Sequence, residues 1–180
     1  TTVTFLEGLE SIGGYSFENC ISLTSIKFPQ SLKRISNNAF EMCTNLQSID
    51  FNNAQIELIC ENGYAFVGCN KITSITGYEN NDKLLYDDES GILYMYYNNA
   101  NNEPELRISI VKAQSSDKEI VLRDEVIYAY DGTFYNQTNL EYVKLSNNIQ
   151  VISSHCFSKC SKLKSISFPD SVWKIYDFAF

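Results

Sequence analysis

FENCISLTSIKFPQSLKRISNNAF at residues 17–40 and FSKCSKLKSISFPDSVWKIYDFAF at residues 157–180 are two copies of one pattern. They share phenylalanine, cysteine, proline and branched apolar residues at fixed positions, and the pattern recurs through most of the chain. The opening phenylalanines are separated by 23, 26, 68, 23 and 23 residues, and they are Phe17, Phe40, Phe66, Phe134, Phe157 and Phe180. A unit of this size cannot bury its apolar face alone and must stack on its neighbours, which predicts a solenoid.

Each repeat predicts one short strand followed by turns. Residues 26–28 alternate apolar and polar side chains, as a half-buried strand does, and Pro29 ends the strand because proline has no N–H to donate. Leu32 and Ile35 predict a further short extended or turn segment, and the A-F-x-x-C stretch predicts a single helical or 3₁₀ turn. Matching positions predict seven strands, at residues 3–5, 26–28, 49–51, 75–77, 120–122, 143–145 and 166–168.

The repeats resemble the BspA-type leucine-rich repeats. The residues that carry the resemblance are C-x-x-L-x-x-I-x-F-P-x-S-[LV]-x-x-I-x-x-x-A-F, at 20–40 and again at 160–180. This sequence departs from the pattern where Gln137 replaces the cysteine and where Arg123 and Ser146 replace the proline. The resemblance implies a right-handed leucine-rich-repeat solenoid, mainly β, with repeats of about 23 residues. It also implies a non-catalytic, secreted or cell-surface protein of adhesion or recognition.

The repeats organise the whole chain. We expect one leucine-rich-repeat domain over 1–180, with repeats at 1–77, an insert at 78–119 and repeats again at 120–180. The sequence begins and stops inside a repeat, which predicts a piece of a longer protein, because solenoids need polar end caps. It contains neither a secretion signal nor a run of about 18 apolar residues, so we expect no direct membrane insertion by this segment.

The insert differs from the repeats in composition. Residues 76–131 hold twelve Asp or Glu against five Lys or Arg, a net charge of −7 within a chain total of −8. Leucine- and tyrosine-containing runs at 84–86 and 92–94 flank a turn-rich acidic cluster, which predicts a β-hairpin. Two interpretations stay open: a structural hairpin whose tyrosines pack on the solenoid, or a protruding recognition loop. For the loop, the candidate binding residues are Tyr86, Asp87, Asp88, Tyr94, Tyr96 and Tyr97.

The sequence offers few residues that could support catalysis or bind a metal ion. The sole histidine, His155, leaves one possible base for nucleophilic catalysis, and its repeat position predicts a solvent-facing side chain. Residues 155–160 offer too few convergent ligands for zinc, and the acidic turn at 87–89 lacks the spacing of a calcium loop. We therefore predict a protein that is not an enzyme, with no metal and no cofactor. The acidic balance also opposes nucleic-acid binding.

Two further motifs have structural interpretations. Four of the six cysteines occupy one repeat position, which predicts small side chains in a tight core position and free, buried thiols. Asn136 begins the one N-x-[ST] tripeptide of the chain, which predicts a glycosylation site.

The outward-facing strand positions supply the second candidate surface. These positions alternate with the buried apolar residues, and the sheet is the usual binding face of such repeats. The candidates are Lys27, Asp50, Thr76, Tyr142, Lys144 and Ser167. We expect a host or matrix protein, or a glycan, as the partner. The alternative is a purely structural spacer within a long repeat array, whose sheet face would bind nothing.

Overall fold

The computed structural model describes residues 2–60, 65–99, 101–112 and 119–180. Its coils have the 23-residue spacing predicted above and form a β-solenoid. In the part of the chain that the structure describes, no residue lies in an α- or 3₁₀-helix. Residue 100 and residues 113–118 of the predicted insert lie outside the described ranges.

One strand of three residues opens each coil, as predicted, but it begins and ends one residue earlier. Its central residue is apolar and faces inward, while both neighbours face outward, as in the Ser25–Lys27 strand, where Ile26 is buried. Strands of successive coils pair in parallel with matching repeat positions opposite each other, for example Ile26 with Ile49. The strands are β1 Thr2–Thr4, β3 Ser25–Lys27, β5 Ser48–Asp50, β7 Ser74–Thr76, β11 Glu119–Val121, β13 Tyr142–Lys144 and β15 Ser165–Ser167.

The second member of the second apolar pair lies in a two-residue strand together with the residue before it, as Ile35 does with Arg34. These strands pair in parallel with their counterparts in the neighbouring coils, as Ile12 does with Ile35 and Ile152 with Ile175. This confirms the prediction of a short extended segment after the proline. The strands are β2 Ser11–Ile12, β4 Arg34–Ile35, β6 Leu58–Ile59, β12 Tyr128–Ala129, β14 Val151–Ile152 and β16 Lys174–Ile175.

The A-F-x-x-C stretch is not helical, contrary to the prediction. The residues two before and two after the repeat phenylalanine have left-handed backbones with φ between 54° and 76°. A 3₁₀ turn needs consecutive right-handed residues, so these positions divide the stretch into separate hydrogen-bonded turns. The left-handed residues are Tyr15, Asn38, Gly132, His155 and Phe178 before the phenylalanine, and Asn19, Met42, Gly68, Asn136 and Lys159 after it.

These turns form a third hydrogen-bonded edge of the solenoid. The N–H of Phe17 donates to the carbonyl of Ala39 at 2.8 Å, and the N–H of Phe157 donates to that of Ala179 at 2.6 Å. The rings stack in parallel between coils, with centroid separations of 5.0 Å for Phe17 and Phe40 and 4.9 Å for Phe134 and Phe157. The repeat phenylalanines, which we call the phenylalanine ladder, therefore contribute to the core and keep successive coils in register.

The insert forms a separate antiparallel sheet of three strands. They are β8 Leu84–Asp87, β9 Ile92–Asn98 and β10 Pro104–Val111, in the order β10-β9-β8. β8 and β9 pair antiparallel on either side of the acidic turn, where the sequence predicts a hairpin. We call this sheet the insert sheet. The parallel ladders end on either side of it, since β7 is the last strand of one and β11 the first of the next.

Both faces of the insert sheet are buried, each against a different stack of coils. Leu93, Met95 and Ile110 join the apolar core of the N-terminal coils, residues 2–77. Ile92 and Tyr94 join the core of the C-terminal coils, residues 119–180, together with Leu106, Ile108 and Val111. A β-bulge between Ile108 and Ile110 turns these two side chains to opposite faces, although residues two positions apart share a face in a regular strand. The insert sheet is therefore shared by the two cores.

Candidate recognition surfaces

The strand face consists of the outward residues of β1, β3, β5, β7, β11, β13 and β15. On the N-terminal coils these side chains are small or paired with each other. Lys27 Nζ and Asp50 Oδ2 form an ion pair at 2.9 Å, and Thr2 and Ser25 share a hydrogen bond at 2.9 Å. Thr76 is exposed on the last strand of this group. The predicted residues Lys27, Asp50 and Thr76 therefore lie on one face, but two of them neutralise each other.

The C-terminal part of the strand face carries larger side chains. Val121 is 46% exposed and Tyr142 is 37% exposed, and they lie on neighbouring strands, where Tyr142 pairs with Glu119 and Val121 with Lys144. Ser167 follows on the next strand, opposite Lys144. The ammonium of a lysine outside the face, Lys164, lies 5.6 Å from the centre of the Tyr142 ring. This half combines apolar, aromatic and cationic groups.

The insert tyrosines divide between core and surface. Tyr94 is fully buried, so its side chain cannot belong to a recognition surface, and that prediction is corrected. The reason is the two-sided burial of β9, where every second side chain faces the C-terminal core. Burial raises the pKa of Tyr94 to about 12. Tyr86 is half-buried with its ring 5.4 Å from that of Tyr78, whereas Tyr96 is 40% exposed.

Tyr97 belongs to a brace between the insert sheet and the C-terminal coils. Its ring lies 3.9 Å from the guanidinium carbon of Arg107. Arg107 Nε donates to Glu105 Oε1 at 2.8 Å, and the hydroxyl of Tyr130 donates to the same oxygen at 2.8 Å. Glu105 is 7% exposed, and the burial of Tyr130 raises the pKa of its phenol. These contacts position the sheet and offer little to a partner.

The acidic turn of the insert lies beside the strand face. Asp87 Oδ1 accepts hydrogen bonds from the backbone N–H groups of Glu89 and Ser90, which fixes the turn, while Asp88 is exposed. Asp87 and Glu89 line a cavity of about 290 Å³ together with Glu119 and Val121 of β11. The structure thus brings the acidic turn of the insert and the strand face together around one pocket. Glu119 and Val121 lie outside the sequence-predicted site residues.

The remaining chemistry-bearing residues serve structure. His155 is exposed, as predicted, and its ring stacks on Phe178 at 5.4 Å. The six cysteines are free thiols, and the repeat position explains them: Cys43 Sγ donates to the carbonyl of Phe17 at 3.0 Å. Burial raises the pKa of Cys160 to about 11. Among the described residues, no group of three or more His, Cys, Asp or Glu side chains could hold a metal ion.

Asn136 lies in one of the left-handed turns, with φ of 59°. Its backbone N–H donates to the carbonyl of Ser158 at 2.8 Å, and the residue is half-buried. Glycosylation there stays a prediction.

A larger cavity that the sequence did not predict lies at the turn edge. It has a volume of about 620 Å³ and is lined from both stacks, by Val67 and Met42 on one side and by Gly132, Tyr135 and Lys159 on the other. We call it the junction groove. The glycine at position 132 was a possible signal, because the equivalent positions of other repeats carry side chains.

Comparison with known proteins supports this architecture. The model of the BspA type Leucine rich repeat region matches residues 1–87 and 112–180 in six copies. The chain belongs to this family. The residues between the matched ranges hold all of β9 and β10, which no repeat supplies. No curated protein matches the sequence closely enough to count as a relative.

Two solved structures show the same fold. A leucine-rich cell surface protein from Faecalibacterium prausnitzii A2-165 is 25% identical, with a TM-score of 0.77, over 99% of this chain and 50% of that one. A leucine-rich repeat protein from Bacteroides ovatus ATCC 8483 is 22% identical, with a TM-score of 0.52, over 98% of this chain and 46% of that one. The BspA-type chain thus spans about half the length of these structures. No helix in the described residues is long and apolar enough to cross a membrane.

Proposed function

We propose that this BspA-type chain is a non-catalytic recognition module of a cell-surface or secreted protein. It binds a host or matrix protein, or a glycan, through the C-terminal part of the strand face. Support for a surface location comes from the Faecalibacterium structure, which is described as a cell surface protein. The flatness of a parallel sheet favours a protein partner over a small glycan.

The observation that carries the proposal is the exposure of Tyr142 and Val121 on neighbouring strands of one sheet. Tyrosine buries a large area at a small cost in side-chain entropy, and such aromatic anchors dominate binding energies at interfaces. Tyr142 and Val121 lie on adjacent, hydrogen-bonded strands, so the backbone that carries them is ordered before binding. The N-terminal part of the face has no comparable anchor among its described strands, because its residues are small or ion-paired.

The acidic pocket beside this anchor indicates the chemistry of the partner. Asp87, Glu89 and Glu119 line it with the apolar side chain of Val121. Arg123 also lines it, but its guanidinium is ion-paired with Glu125 at 2.9 Å, so the carboxylates outnumber the cation. A lysine or arginine of the partner would place its charge among the carboxylates and its aliphatic stem against the valine. The charge of the insert adds long-range attraction, which salt weakens. We therefore expect a partner with a basic patch next to an apolar one.

The test is a binding titration of the purified chain on an immobilised basement-membrane extract, followed by surface plasmon resonance. We expect Tyr142→Ala to weaken binding at least about tenfold, as the loss of a hot-spot residue does. Glu119→Gln should slow association and flatten the dependence on salt. Ser48→Ala, on the N-terminal part of the same face, is the matched control and should bind as the wild type does.

A structural spacer predicts a different result. If Tyr142→Ala, Val121→Ser and Glu119→Gln all bind as the wild type does, the strand face is not the binding site. If the wild type itself does not bind, the recognition proposal fails for this partner class, and the spacer function becomes the better account. Circular-dichroism melts of each variant show that a loss of binding is not a loss of fold.

A further inference from the structure

The junction groove lies at the turn edge, away from the strand face, between the coils of Phe66 and Phe134. Elsewhere along this edge, neighbouring coils are joined by hydrogen bonds from the repeat phenylalanine and from the residue two positions later. Phe40 and Met42 make these bonds to Ala65 and Val67, each at 2.8 Å. Within the described residues, Phe66 and Gly68 make no equivalent backbone bond to the next coil.

The junction groove exists because a small residue lies on one side of it. Gly132 occupies the position that carries asparagine in Asn38 and histidine in His155, so the groove lacks a side chain there. A Cβ added at Gly132 would lie 3.0 Å from Val67 Cγ1, so the two coils touch at the floor. The side chains of the adjacent coils, including Met42 and Lys159, form the sides. A volume of about 620 Å³ falls within the usual range for small-ligand sites.

The polar groups of the groove are held in place by the fold. Asp131 Oδ1 accepts a hydrogen bond from the backbone N–H of Ser154 at 3.1 Å, and Glu41 Oε2 accepts one from the Asn38 amide. A carboxylate can accept about four hydrogen bonds, so each retains capacity toward the cavity. Both residues are half-buried. A ligand would therefore meet preorganised acceptors, which lowers the cost of binding.

We propose that the junction groove binds a short neutral saccharide. The lining combines carboxylate acceptors, cationic and amide donors and the aromatic ring of Tyr135, with Lys159 Nζ 5.0 Å from the ring centre. A hydroxyl both donates and accepts, so it satisfies carboxylates and an ammonium alike. A charged ligand would meet a like charge on one side of the groove. Tyr135, half-buried, presents its ring for the apolar face of a sugar.

The test titrates maltotetraose, cellotetraose, chitotetraose and a mannose tetrasaccharide into the chain, each up to about 10 mM, by saturation-transfer NMR and calorimetry. We expect at least one to bind, with an affinity that changes less than twofold between about 0.05 and 0.5 M salt, because the ligand is neutral. Tyr135→Ala should weaken binding about tenfold. Val67→Trp should abolish binding by filling the floor.

Tyr142→Ala is the matched control, because it removes a tyrosine from the strand face and should leave saccharide binding unchanged. This variant also separates the two proposals, since it should weaken only the matrix partner. Failure of all four saccharides to bind overturns the assignment, as does binding that survives both Tyr135→Ala and Val67→Trp in folded protein. A salt-sensitive interaction of the groove with a Lys-Lys dipeptide, without saccharide binding, would show that it takes cations instead. If Val67→Trp does not fold, Tyr135→Ala decides alone.

Discussion

Neighbouring coils within a stack are held together by one kind of contact, and the two stacks are held together by another. Between coils, the same apolar positions meet again at every interface, and three hydrogen-bonded edges hold them in register. Between the stacks, the parallel ladders stop and the insert sheet supplies apolar side chains to both cores. The same contacts thus recur at each interface between repeats, whereas the contacts at the junction are not repeated elsewhere. Changes at the junction of the two stacks should therefore lower the stability of the fold more than changes within any one coil.

Loss of the insert sheet has the largest expected effect. Replacing residues 88–111 with a Gly-Ser linker removes eight buried apolar side chains, each worth about 1.5–3 kcal/mol. The sum exceeds about 10 kcal/mol, comparable to the whole stability of a domain. We expect no cooperative thermal transition by circular dichroism. Asn101→Ser with Asn102→Gly, at the exposed hairpin tip, is the control and should melt as the wild type does. A linker variant that melts cooperatively at the wild-type temperature would show that the stacks cohere without the sheet.

Truncation within the phenylalanine ladder comes next. Phe40→Ala and Phe157→Ala should each cost about 3–5 kcal/mol of unfolding free energy, the range for an aromatic ring lost from a packed core. Both rings are buried and stack on a neighbour. Urea titrations measure the loss, and Phe178→Ala, 73% exposed, serves as the control, with a change within about 0.5 kcal/mol. A loss below about 1 kcal/mol at Phe40 would contradict its place in the core.

A smaller loss of stability is expected when the brace between the insert sheet and the C-terminal coils is broken. Arg107→Ala leaves the buried carboxylate of Glu105 without its ionic partner, and we expect a loss of about 3 kcal/mol. Lys27→Ala breaks the solvated ion pair with Asp50 on the strand face and should cost less than about 1 kcal/mol. Urea titrations of both variants give the difference. Equal losses would mean that the brace contributes no more than a surface pair.

The smallest effect is a dependence on pH. The pKa of Tyr94 is about 12 in the folded chain and about 10 when unfolded, so the folded state keeps a proton that the unfolded state loses. This contribution is complete below pH 10 and disappears as the pH rises to 12, at a cost of about 2–3 kcal/mol. Tyr94→Phe should reduce the loss of stability between these pH values, measured by urea midpoints. Tyr15→Phe, 61% exposed, should not reduce it.

The repeats could be predicted from the sequence because each structural role recurs in the same residue type. Ile26 and Ile49 occupy equivalent positions and meet in the sheet, so counting residues sufficed. The left-handed turns were missed although asparagine and glycine fill several of those positions, as in Asn38 and Gly132. These residues tolerate positive φ far better than others do. The preference of asparagine and glycine for positive φ was a better guide to this backbone than the shortness of the stretch, from which a helical turn was predicted.

The role of the insert sheet could be predicted only in part. Its hairpin followed from the apolar runs around a turn, but the apolar run over residues 92–95 also indicates a strand buried on both faces. Composition left two interpretations open, a hairpin packed on the solenoid and a surface loop, because the insert is both acidic and rich in tyrosine. Gly132 indicated a missing side chain at one turn, but the junction groove itself could not be predicted, because it depends on which coils meet across the insert. Sequence spacing carries no such information once the repeat is interrupted.

The described residues at the junction do not continue the hydrogen-bonded turn edge, and this has a mechanical consequence. In a solenoid, the bonds between coils run along the stacking direction, so tension between the two ends of the chain falls on every interface in series. Among the described residues, the interface between Phe66 and Phe134 lacks the bonds that Phe40 and Phe157 make, and it would separate first under load. The insert strands would then unravel and lengthen the tether, while the coils on either side keep their shape.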